Sequence, residues 1–103
     1  MNITALKADG KDNVATVFSN EAKAGLSACI WGASGKLEEI RMLSDIPYGH
    51  KIALCDLSPG DPIIKYGENI GQASALISKG DYVHIHNMVS LRGRGDLQGG
   101  TDR

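Results

Sequence analysis

At 103 residues the chain has room for one small domain with a modest core and is too short for two. A formal charge of -1 without a basic stripe removes the electrostatic case for nucleic acid, and no apolar run approaches a membrane span. Thirteen glycines against three prolines, one Trp, one Phe and three Tyr, with many Val, Ile and Thr, suit short strands and tight turns better than a helical bundle.

Residues 1–12 read as a lead-in. Met1 to Gly10 carries Lys7 and Asp9 and lacks the apolar centre of an export signal, so a cytoplasmic setting is expected, with Cys29 and Cys55 as two reduced, buried thiols. From Asn13 to Ser19, Val14, Thr16 and Phe18 alternate with Ala15 and Val17, which predicts a buried first strand. Glu21 to Gly25 is a turn or a short helical turn ended by its glycine, Leu26 to Trp31 a second strand, and Gly32 to Gly35 a loop. Leu37 to Leu43 fits either period. A strand is favoured, because an isolated seven-residue helix is marginal in water and the flanking segments read as β.

A weak repeat follows. Asp45 to Ile52, Asp56 to Ile63 and Leu76 to Val83 each place an apolar residue, turn residues and a glycine before a polar residue and a new apolar run. A tight reversal needs a residue of positive φ, which glycine adopts without steric cost, so the three units are expected to be corners of one compact β fold. Between the last two, Ile63 to Tyr66 and Ile70 to Ala73 flank Gly67-Glu68-Asn69 as a hairpin loop.

Asp81 to Val89 is predicted as a strand, with Tyr82, His84, His86 and Met88 on one side and Val83, Ile85 and Val89 as the apolar anchor on the other. Two imidazoles two residues apart would then converge on one divalent metal or one anion, although such a pair also occurs as an ordinary polar face. His50 and Lys51 form a second polar cluster at their own corner, where a buried, satisfied turn histidine is an equal reading. Residues 13–90 are expected to make the domain. Residues 91–103, rich in Gly and Arg, read as a solvated tail, whose Arg92 and Arg94 would otherwise grip carboxylates or phosphates of a partner. Gly-x-Ser-x-Gly, His-Glu-x-x-His and the phosphate-binding Gly-x-x-x-x-Gly-Lys are all missing from the sequence.

In order along the chain, Ile46-Pro-Tyr-Gly-His-Lys-Ile-Ala-Leu54, Gly60-Asp-Pro-Ile-Ile-Lys-Tyr-Gly67, Ile70-Gly71 and Val83-His-Ile-His-Asn87 resemble the SAF-type amino-terminal domain of the altronate and galactarate dehydratase family. The pattern also occurs there, and in the related sulfolactate sulfo-lyases, as a free-standing small subunit. The resemblance implies a mainly β, β-clip fold of antiparallel bent strands and hairpins. It implies a metal-dependent hydro-lyase that removes water from a sugar acid to give a 2-keto-3-deoxy acid, with a separate large catalytic subunit as partner. The chain alone would then be inactive. A divalent metal, iron (Fe2+) or manganese, would be shared with that subunit. On this reading His84 and His86 are metal ligands, His50, Lys51 and His86 take part in catalysis, and Asn87, Arg92 and Arg94 contact substrate, with Asn87 orienting a neighbour. Two alternatives stand beside it: the small subunit of a sulfolactate sulfo-lyase-like enzyme, and a docking module whose histidines do no chemistry. A carbohydrate-binding module would want an aromatic platform, and Tyr48, Tyr66 and Tyr82 are scattered. Self-association is left open by the sequence.

Overall fold

The structure, a computed structural model, describes residues 3–91. Among these, every named element is a strand: β1 Ala5–Leu6, β2 Val14–Val17, β3 Ser27–Gly32, β4 Gly35–Arg41, β5 Lys51–Ala53, β6 Pro62–Lys65, β7 Glu68–Ala73, β8 Tyr82–Val83 and β9 Met88–Ser90. They form a six-stranded sheet in the order β4-β3-β1-β2-β5-β8 and a three-stranded sheet β6-β7-β9. Pairing is antiparallel throughout except between β1 and β3, which run parallel.

Two cores result, because strand side chains alternate between faces and both faces of the larger sheet are covered. Ala15, Val17, Ile30, Ile40 and Ile52 pack with Met42 and Ile46 from the connections on one side. Val14, Ala53 and Val83 meet Ile63, Ala73 and Met88 of the smaller sheet on the other, with Leu57 and Ile77 between. Double coverage explains why Val14, Ala15 and Val17 are all buried in one short strand. Phe18, expected within that strand, lies beyond its end and is 43% exposed, its ring edge-on to Tyr48. The lead-in is more than an approach to the domain, since it supplies β1 to the middle of the larger sheet.

The three corners share one hydrogen-bond pattern. Each corner glycine donates its N–H to a strand carbonyl, Gly49 to Val17, Gly60 to Ala73 and Gly80 to Ala53. The same strand residue donates back to the residue after the glycine, Val17 to His50, Ala73 to Asp61 and Ala53 to Asp81. The glycines have φ of 86°, 94° and 95°, the left-handed region that the repeat demanded. The corners at Gly60 and Gly80 are joined by a reciprocal Leu57–Ile77 pair, which ties β5-β8 to β6-β7.

The β6–β7 hairpin turns on two residues, Tyr66 and Gly67, with Glu68 and Asn69 already in β7 rather than in the expected loop. Their φ of 57° and 74° make this a primed hairpin turn, matched to strand twist but costly for tyrosine. The buried Asp12 carboxylate accepts the N–H groups of Tyr66 (3.1 Å), Gly67 (2.8 Å) and Asp9 (3.0 Å), and so fixes the turn. Both cysteines are free. Cys29 is half-buried and its Sγ accepts the Trp31 indole N–H at 3.2 Å, whereas Cys55, expected to be buried, is exposed because it sits in the bend leaving β5. No helix among the described residues is long and apolar enough to cross a membrane.

Candidate functional site

The predicted strand from Asp81 to Val89 does not run through. It stops at Val83, a turn occupies residues 84–87, and pairing resumes at Met88. Asn87 is the cause. Its Oδ1 accepts the His84 N–H at 2.9 Å, its Nδ2 donates to the Tyr82 carbonyl at 2.9 Å, and its own N–H donates to the His84 carbonyl at 3.0 Å. An asparagine that satisfies the backbone three and five residues behind it competes with the sheet ladder, and here it wins. The expected alternation therefore fails: Ile85 is 82% exposed instead of anchoring the strand, and Met88 enters the core.

The turn still gathers the imidazoles, by another route. β8 lies beside β5, with Lys51 opposite Val83 and Ile52 opposite Tyr82, so the corner carrying His50 meets the residues leaving β8. The His50 and His84 rings are 4.8 Å apart between centroids at 68°. Tyr82 stacks parallel to His84 at 5.6 Å and 9°, tilts against His86 at 5.3 Å, and its hydroxyl lies 2.8 Å from His50 Nδ1. One phenol thus touches all three histidines of the chain. Tyr82 was not singled out from sequence as a partner of His50, and the signal for it is the antiparallel register of β5 and β8, which the sequence leaves unspecified.

The electrostatics favour donors and neutral bases. Burial, helped by the charges of His50, Lys51 and His86, holds the His84 imidazole below the ordinary histidine range. Burial, with Lys65 nearby, likewise lowers the proton affinity of the Lys51 ammonium. The ion pairs among the described residues are Lys36–Glu39 and Lys79–Glu38, neither of which reaches this cluster. An anion would meet lysine and imidazole here, with no carboxylate among the described residues paired to either.

Other expected site residues fall as follows. Asn87 is 7% exposed and its amide is committed to the turn that holds His84. Arg92 and Arg94 lie outside the described residues. Among the described residues, no three His, Cys, Asp or Glu side chains converge to hold a metal, so the donors here do not make a complete centre. The cluster is also open to the surface, with His86 and Ile85 exposed. A hollow of about 1070 Å³, lined by Ile3, Phe18, Trp31 and Met42 among others, contains none of it.

Residues 3–91 match the family model described as the altronate/galactarate dehydratase SAF domain. The chain belongs to that family. This SAF domain is 31% identical over 93 residues to the (2R)-sulfolactate sulfo-lyase subunit alpha of Chromohalobacter salexigens, an alignment covering 89% of the chain and 99% of that protein. It is 35% identical over 82 residues to the altronate dehydratase of Escherichia coli, covering 80% of the chain but 15% of the relative. Over 48 residues it is 50% identical to the altronate dehydratase of Bacillus subtilis, covering 47% of the chain and 10% of the relative. The SAF domain thus spans nearly all of a relative named as a subunit, and a small fraction of the two dehydratases.

Proposed function

We propose that this SAF domain is the small subunit of a lyase that eliminates a group from a hydroxy-acid anion, working in the cytoplasm with a separate large subunit. The observation that carries the reading is the surface cluster in which Tyr82 gathers His50, His84 and His86 beside Lys51. Two free cysteines are in keeping with a reducing compartment. The first substrate class is a sugar acid, losing water to give a 2-keto-3-deoxy acid.

Elimination requires a base for the proton on the carbon beside the carboxylate, stabilisation of the charge that builds on the carboxylate oxygens, and a proton donor for the departing hydroxyl. The C–H and C–O bonds break, a C=C bond forms, and the resulting enol takes up a proton on carbon to become the ketone. Lys51, its proton affinity lowered, suits the base, and His50 the donor. His84 and His86 present the contact surface for the anion, with Asn87 holding His84 in place. A divalent metal, iron or manganese, would polarise the carboxylate; this chain would add His84 and His86 to a ligand set completed by the large subunit, and no step above depends on it.

A second substrate class is favoured by the 99% coverage of a sulfo-lyase alpha subunit. There the bond broken beside the enol would be C–S, and sulfite would leave in place of water. A panel of altronate, galactarate and (2R)-sulfolactate, assayed with the chain reconstituted with its large subunit, separates the two. Replacing His84 and His86 together by alanine should abolish turnover of the accepted substrate while the complex still assembles on a sizing column. Full activity in that variant would reduce the SAF domain to a docking module.

A further inference from the structure

We propose that Tyr82 is the positioning residue of this site: its hydroxyl donates to Nδ1 of His50, holding the neutral imidazole as the tautomer that carries its proton on Nε2. This rests on the functional reading above and completes its proton donor: as Nε2–H passes to the departing hydroxyl, the Tyr82 hydroxyl proton moves to Nδ1, so the imidazole stays neutral. The charge rests on the phenolate, and the proton taken up by Lys51 restores it after water leaves.

Three observations meet here. The Tyr82 oxygen lies 2.8 Å from His50 Nδ1, within hydrogen-bonding range. Of the two arrangements this distance allows, phenol as donor is the stronger, since the phenolic lone pairs are drawn into the ring while the bare nitrogen of a neutral imidazole is a good acceptor. With Nδ1 occupied, Nε2–H is what His50 has left to offer.

The second observation is that His50 is released from backbone duty. In the two later corners the residue after the glycine is an aspartate whose carboxylate accepts the N–H three residues earlier, Asp61 from Ser58 at 2.8 Å and Asp81 from Ser78 at 2.9 Å. The His50 corner has Pro47 at that earlier position, which has no N–H to satisfy. The backbone bond that closes the corner is nonetheless present, from His50 N–H to the Pro47 carbonyl at 3.1 Å. The histidine side chain therefore closes nothing, and the bond it makes is to Tyr82.

The third is that Tyr82 is itself held. It stands in β8 opposite Ile52, packs against the first core, and its carbonyl receives the Asn87 amide. A hydroxyl on a fixed ring sets the orientation of the imidazole it bonds, as outer partners do for metal-bound histidines, whose loss there lowers activity by roughly ten- to a hundred-fold.

The test uses the full chain, alone and reconstituted with its large subunit. Long-range ¹H–¹⁵N correlation spectra of the isolated chain at neutral pH should show His50 as the Nε2–H tautomer. In Tyr82→Phe, which keeps the stack on His84 and loses the hydroxyl, His50 should become a mixture, and kcat of the complex should fall about tenfold with little change in KM. A wild-type His50 found as Nδ1–H, or a tautomer unmoved by Tyr82→Phe, overturns the assignment whatever the activity. If the tautomer responds and kcat does not, His50→Ala decides. Turnover abolished by His50→Ala would overturn the role of Tyr82 alone, and turnover retained would overturn the catalytic reading of the site as well. Should Tyr82→Phe unfold, the wild-type spectrum still decides the tautomer.

Discussion

His50 stands at the place in its corner that Asp61 holds in the next, and its side chain does none of Asp61's work. Both follow a glycine of positive φ, and both receive the return bond from a strand N–H. The Asp61 carboxylate also caps Ser58, whereas His50 turns to Tyr82. Asp61→Ala and Asp81→Ala should therefore each cost about 1–2 kcal/mol in urea unfolding, as lost side-chain caps do. His50→Ala should cost under about 1 kcal/mol on the same scale, that of an ordinary partly exposed substitution. A His50→Ala chain less stable than Asp61→Ala would assign the histidine to the fold.

Glycines 60 and 80 have nearly the same φ, 94° and 95°, but different surroundings. A Cβ at Gly60 meets nothing within 4 Å, while one at Gly80 would run into the Arg41 carbonyl oxygen. Gly60→Ala should lose only the backbone term, about 1–2 kcal/mol. Gly80→Ala should lose more than about 3 kcal/mol, because backbone cannot move aside as a side-chain tip can. Thermal melts of the two variants give the comparison directly.

Asp12 binds three backbone N–H groups and holds Tyr66 in a conformation tyrosine disfavours. Asp12→Ala should cost about 2–3 kcal/mol, through orphaned donors and the released turn. Hydrogen exchange should quicken first at Tyr66 and Gly67, and Asp12→Ala combined with Tyr66→Gly should recover part of the loss. Exchange at those amides unchanged by Asp12→Ala would contradict the clamp.

The lowered proton affinity of His84 carries a signed pH dependence. The unfolded imidazole takes up its proton near 6.5, before the folded one, so the neutral form contributes stability that is whole above that pH. It is lost as pH falls through 6.5 towards the lower folded value. Between pH 7.5 and pH 5 the wild type should lose more in urea midpoint than His84→Gln does. An equal loss would mean the folded environment does not disfavour the charged ring.

The corners were legible because each needs positive φ and spends a glycine on it. Gly49, Gly60 and Gly80 mark the same backbone event three times. The histidine segment was misread because period two was carried through Asn87, whose side chain ends the strand locally. Asn87 was visible in the sequence, and a capping asparagine after two histidines was the available warning. β1 escaped notice because two residues carry no periodicity, and its place between β2 and β3 depends on pairing across the chain. The meeting of His50 with His84 lay between these cases. The corner motifs left it open, and the β5–β8 register, a long-range property, brought it about.

Ala5–Leu6 is the single seam between two half-sheets, β4-β3 on one side and β2-β5-β8 on the other. A version of the protein beginning at Asp12 would keep the hairpin clamp and carry an empty slot one strand wide, bordered on both sides by unsatisfied peptide groups. A short synthetic peptide copying Ile3–Lys7 is the natural filler, which makes this small domain a ready scaffold for split-protein reassembly.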